Sequence, residues 1–285
     1  MKKKLLLILL IAAFNSMAQD FTGTWSGLLI SNGQDVEKAD VIYLTIEKSG
    51  EQLTGLSRIE LLNDVEFAVK SIEGQQSGSK LTLTEKLVRR SSNSRKSPIC
   101  KLNYELEYND STAYLIGEFK SSDCRNIQGE VLFFRSNHLV NLEKEPSSTH
   151  MWKHRFLKLY AKGYPAPEVM KIEQLNFKFQ PIFFDHDKSE IKTEFFDYLN
   201  RMARVLDGIH DLRVEITGHT DAVGTDQYNI GLSERRAKAI RDYFKKQGIE
   251  AEKLEIDFKG KRQPVDTNKT KEGKQRNRRV DFRFI

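Results

Sequence analysis

A chain of 285 residues with a net charge of +6 has room for two domains. No stretch reaches the length of a membrane-crossing helix, which excludes a helical membrane protein. Two cysteines are too few for a zinc site and no histidine pair near them has ligand spacing, so neither a metal nor another cofactor is expected.

Lys2, Lys3 and Lys4 precede an apolar run over Leu5 to Phe14, and Ser16-Met17-Ala18 follows with small residues. That order predicts a signal peptide over 1–18, cut after Ala18; a buried N-terminal helix is the competing reading. No cysteine follows the run, so no lipid anchor is expected there. Export makes Cys100 and Cys124 readable as one disulfide closing a loop of about 25 residues, which would add about 3 kcal/mol. Two buried thiols are the alternative.

From 21 to about 137, eight segments alternate or are rich in β-formers: 21–30, 40–48, 52–61, 65–74, 80–88, 101–108, 112–120 and 127–135. Turn clusters such as SNGQD and YNDST separate them. They predict an all-β domain over 19–140, an antiparallel barrel or sandwich. Gly23-Thr24-Trp25 resembles the opening of lipocalin-like barrels, in which an early tryptophan plugs one end. The interior would then hold a small apolar ligand or only side chains. An outer-membrane barrel fits less well, because Arg58, Glu60, Glu66, Lys70 and Lys86 interrupt both faces. RRSSNSRKSP (89–98) reads as an exposed loop. Residues 141–175 read as a linker in which 151–162 has helical spacing and GYPAP ends the helix.

From 176 strands and helices alternate. The predicted order is a strand over 175–184, a helix over about 190–209 capped by Ser189, a strand over 212–219, and a helix over 226–247 capped by Thr225 and closed by Gly248. Strands over 254–260 and 278–285 follow, separated by a basic loop. This βαβαββ order predicts an α/β sandwich, one sheet with two helices on one face. The basic run 259–279 reads as a solvated loop. It lacks aromatic residues for base stacking, and no nucleic-acid partner is expected. The net charge is −4 over 20–145 and +7 over 146–285, which suggests modules with different neighbours.

Leu232, Arg236, Ile240 and Phe244 recur every four residues on the second helix, so Arg236 interrupts its apolar stripe. A guanidinium partly withdrawn from water needs a hydrogen-bonding carboxylate. Asp221, at the tip of the preceding strand, is within reach, and Asn229 lies two turns back on the same helix face. Spacing leaves open whether Asp221 and Arg236 form an internal salt bridge or a site.

Four segments then stand in register: Phe184-Asp185-His186-Asp187-Lys188-Ser189-Glu190-Ile191, Gly218-His219-Thr220-Asp221, Asn229 to Ala237, and Asn277-Arg278-Arg279-Val280. Together they resemble the successive signatures of the OmpA-like C-terminal domain, over about 176–285. The resemblance implies non-covalent binding of peptidoglycan through the diaminopimelate of its stem peptide. Carried over by position, the central contacts fall on Asp221 and Arg236, with Asn229 and Asp185 in support. The free end of diaminopimelate is a zwitterion; a carboxylate suits its ammonium and a guanidinium fork its carboxylate. His186 and Asp187 receive no role.

No G-x-S-x-G, H-E-x-x-H or phosphate-cradling loop is present, so no catalysis is expected. The expectation is a periplasmic protein at the wall and outer membrane whose N-terminal domain meets an envelope protein. The alternatives are a lipocalin-like carrier retained at the wall and a subunit of a secretion or motility complex.

Overall fold

The computed structural model describes residues 19–61, 66–92, 98–137 and 150–285. The expected leader and parts of the 89–98 loop and of the linker lie outside the described residues. The chain divides into two compact units, one ending at Ala161 and the other beginning at Lys162.

The first unit contains β1 (Gly23–Ser31), β2 (Asp40–Ser49), β3 (Gln52–Glu60), β4 (Phe67–Ser77), β5 (Lys80–Ser91), β6 (Leu102–Asn109), β7 (Tyr114–Ser121) and β8 (Gln128–Arg135). Each pairs antiparallel with the next, and β8 returns to β1. Of the two predicted architectures it is the closed barrel, which leaves no unpaired edge. Alternation decides what points inward. Trp25 stands opposite Leu44, Leu44 opposite Ser57, and Ser57 opposite Lys70. Lys70 therefore lies inside the barrel, whereas Arg58 and Glu60 lie on its outer wall.

One end of the barrel is plugged. Phe21, Trp25 and Tyr108 meet with ring centroids 6.3–6.4 Å apart. Trp25 Nε1 donates to the Phe21 carbonyl at 3.0 Å, and the Arg135 guanidinium lies 4.5 Å from the Trp25 ring centroid. The other end is tied by the Cys100–Cys124 disulfide, which joins the chain before β6 to the β7–β8 turn.

Helix α1 (Met151–Ala161), expected in a linker, belongs to this unit. Trp152, Phe156 and Tyr160 recur every four residues and form one aromatic face. Phe134 lies 4.6 Å from Phe156, and Tyr114 lies 5.2 Å from Tyr160, centroid to centroid. Beside the helix, Arg58 Nε bonds Glu60 Oε1 at 2.5 Å, and His150 Nε2 lies 3.3 Å from Glu60 Oε2. These outer charges are buried because protein covers them. Elsewhere Glu105, Glu118 and Glu130 stand in register on adjacent strands, all exposed. Such a wall suits water rather than hydrocarbon. No described helix is long and apolar enough to cross a membrane.

The second unit contains α2 (Pro167–Leu175), β9 (Ile182–Phe183), α3 (Phe196–Gly208), β10 (Val214–His219), α4 (Asp226–Lys246), β11 (Leu254–Gly260), α5 (Lys271–Asn277) and β12 (Arg279–Phe284). The sheet order is β11-β10-β12-β9, with β10 and β11 parallel and the other pairs antiparallel. Leu199, Met202 and Leu206 of α3 and Ala237, Ile240 and Phe244 of α4 share one core with Ile182, Val214, Ile216 and Val280. The predicted α/β sandwich is present.

Its first elements differ from expectation. Pro167, read as a helix stop, starts α2, because proline at the first helical position loses no hydrogen bond. The strand expected over 175–184 keeps two residues; Phe177 and Phe179 instead pack against Phe284, tilted and edge-on. Ser189 caps no helix, and α3 begins only at Phe196. The basic run is not all loop: Thr270 caps α5, accepting from Gly273 N.

Candidate functional site

Arg236 is fully buried on α4, one helical turn past Ser233. Gly218 on β10 makes that placement possible, since a Cβ there would stand 2.1 Å from the Ser233 carbonyl oxygen. The close approach sets the guanidinium beside the end of β10. Nη1 donates to the His219 carbonyl at 2.8 Å, Nε to that of Lys188 at 2.9 Å, and Nη2 to that of Asp185 at 3.0 Å. Backbone carbonyls, not the expected carboxylate, hold this buried charge. The carbonyls of Lys188 and Asp185 both belong to the irregular segment that precedes α3. Burial, and then the like charge of Arg278, bring the Arg236 pKa down to about 10, against the pull of Asp221. It remains cationic at neutral pH.

Asp221 is 3% exposed. Its Oδ2 accepts from Arg278 Nη1 at 2.8 Å and its Oδ1 from Val223 N at 3.0 Å. Arg278 Nε donates to the Phe184 carbonyl at 3.2 Å, and Nη2 bonds Gln275 Oε1. Asp221 and Arg236 thus face one cleft without bonding each other. The internal salt bridge exists, but its cation is Arg278.

Asn229, buried, gives both amide hydrogens to the loop before its own helix, to Val223 O at 2.9 Å and Thr225 O at 3.0 Å. It shapes the loop that carries Asp221. Asn277 does the same for the basic segment, accepting from Val265 N and Asp266 N; Asn268 Oδ1 then accepts from Ala222 N. The Asp185 carboxylate turns away to Lys192 at 2.9 Å, and that bond holds its pKa below the ordinary value. Its contribution to the site is its carbonyl.

The result is a cleft of about 160 Å³ lined by Asp187, Asp221, Tyr228, Asn229, Arg236 and Arg278, among others. The structure brings together three of the four predicted residues as side chains and the fourth as backbone. Sequence reasoning gave no role to Arg278, although its motif was in view, nor to Asp187. The latter adopts a left-handed φ of 59° and accepts from the Tyr228 hydroxyl. Helical periodicity cannot find residues that reach the site from a strand start or a turn. Chemically, the cleft offers spare lone pairs on Asp221 and the two N–H groups of Arg236 not taken by carbonyls.

Residues 183–278 match the OmpA family. Outer membrane protein A of Bordetella avium is 40% identical over 124 residues, 44% of this chain and 62% of that protein. The peptidoglycan-associated lipoprotein of Pseudomonas aeruginosa is 40% identical over 101 residues, 35% of this chain and 60% of that one. The peptidoglycan-binding protein ArfA of Mycobacterium tuberculosis is 37% identical over 102 residues, covering 36% and 31%. The chain thus spans less than two thirds of each of these relatives. The crystal structure of the peptidoglycan-associated lipoprotein from Burkholderia pseudomallei is 27% identical, with a TM-score of 0.37, over 37% of this chain and 90% of that one. Residues 183–278 are an OmpA-like domain, and a β-rich barrel domain precedes it in the same chain.

Proposed function

We propose that this is a non-catalytic protein of the bacterial envelope, exported to the periplasm, that binds peptidoglycan through the diaminopimelate of the stem peptide. Through that contact it tethers its N-terminal barrel to the wall. The observation that carries the reading is a carboxylate and a guanidinium lining one small cleft while each is held by other protein groups. A pair satisfied by itself would have closed the site. Here Asp221 keeps acceptor capacity for an ammonium, and Arg236 keeps two donors for a carboxylate, both on one carbon of the ligand. Names of relatives that refer to peptidoglycan agree. The barrel would present its outer surface to another envelope protein.

The test is sedimentation with purified sacculi. The full chain should co-sediment, and free diaminopimelate should compete it off where Nα-acetyl-lysine amide, which has no ammonium and carboxylate on one carbon, does not. Asp221→Asn, which keeps the size but removes the charge, and Arg236→Lys, which keeps the charge but removes the planar fork, should each lose binding. Co-sedimentation of both variants at the level of the parent protein would refute the assignment.

A further inference from the structure

At the end of the barrel opposite the Trp25 plug, described residues line a cavity of about 570 Å³. Its walls include Leu29, Ile59, Ala68, Ile99, Phe119 and Ile127, and charged residues such as Glu37 and Lys38 stand at its mouth. That volume lies in the range of small-molecule sites, which bury an apolar body and fix it with a few polar groups.

One polar group in the lining matters most. Lys70 is 2% exposed and faces this cavity. Its ammonium donates to Glu85 Oε2 and, at 2.6 Å, to the Cys100 carbonyl. Glu85 takes four hydrogen bonds: from Lys70, from Leu102 N at 2.9 Å, from Ser57 Oγ at 2.6 Å and from Tyr104 Oη at 2.9 Å. Four is the capacity of a carboxylate, so Glu85 has nothing left to offer. Burial, and then the Glu85 charge, push the Tyr104 hydroxyl pKa well up, which keeps that hydroxyl a donor. An ammonium has three N–H groups, and Lys70 gives two of them to acceptors among the described residues. The one unused N–H of the network is therefore on Lys70, whereas the Ser57 and Tyr104 hydroxyls, which keep acceptor lone pairs, are not in the cavity wall. The pair is already neutral, so an anion placed beside Lys70 would add a charge that the pair does not compensate.

We propose that the barrel is a binding site for a small, uncharged, largely apolar molecule carrying one hydrogen-bond acceptor, such as a carbonyl or ether oxygen, which Lys70 takes up. The proposal is independent of wall binding and concerns a different unit of the chain.

Prodan, a neutral naphthalene ketone whose emission reports its surroundings, is a suitable probe. Titrated into the full chain, it should bind saturably with a blue-shifted emission. The parent dimethylaminonaphthalene, which lacks the ketone, should bind roughly tenfold more weakly, as expected for a lost bond to a charged donor. Its carboxylate analogue should bind more weakly still. Ala68→Trp, which fills the chamber, should abolish binding with an unchanged circular dichroism spectrum; Ile59→Trp serves if the first variant fails to fold. Absence of saturable binding, undiminished binding by a folded filled variant, or equal affinity for the ketone and its parent would each overturn the proposal. So would tighter binding of the carboxylate.

Discussion

Arg278 places its Nη1 2.8 Å from Asp221 Oδ2, although 57 positions separate the two residues. This pair fixes the carboxylate at the cleft from outside the helix that carries Arg236. Removing Arg278 leaves Asp221 buried without its cation, and breaking such a pair costs about 3 kcal/mol. Arg278→Gln should therefore lower stability in urea by about that amount, and Arg278→Gln combined with Asp221→Asn should recover much of it. If the double variant is no more stable than the single one, the pair is not what fixes Asp221.

Gly218 sets the distance between β10 and α4 at Ser233. Gly218→Ala forces the helix outward, and overpacking of this kind costs about 1–3 kcal/mol. Because Arg236 rides on the same helix, co-sedimentation with sacculi should fall along with the melting temperature. Urea unfolding of the variant at the parent midpoint would show that the approach is not limiting.

The Cys100–Cys124 bridge closes a loop with a sequence separation of 24. Constraint of the unfolded chain predicts a loss of about 3 kcal/mol in Cys100→Ala combined with Cys124→Ala. Near-ultraviolet circular dichroism and urea unfolding with and without reductant measure it, and the cost should fall on the barrel transition only. An equal shift in the second unit would contradict this.

His219 is buried on the sheet face away from the helices, with Asp281 at 3.4 Å, and Asp257, Arg279 and Lys259 nearby. Burial, then Arg279, depress its pKa from 6.5 to about 4, against the pull of Asp281 and Asp257. Between those values the unfolded chain binds the proton and the folded one does not. Stability from this group is thus fully present above about pH 6.5 and declines as pH falls toward 4, by about 3 kcal/mol over the whole interval. Thermal melts of the parent protein and His219→Gln between pH 7 and 4.5 should converge on acidification. Parallel curves would exclude His219 as the source.

Much of this protein is legible locally. Alternation located all eight barrel strands, because a strand's side-chain period is a property of the chain itself. The cap Thr225 and the C-terminal Gly248 fixed α4, since both act within one turn of their own backbone. The stripe of Leu232, Arg236, Ile240 and Phe244 announced a buried cation, and four motifs in register announced the domain that carries it. Tertiary structure alone decided what that cation bonds. Three carbonyls from two distant segments reach Arg236, and Arg278, not Arg236, neutralises Asp221. The same holds for Lys70, whose inward orientation depends on barrel register and whose partner Glu85 comes from the next strand. Periodicity states which side of an element faces inward; only the assembled fold states what it meets there.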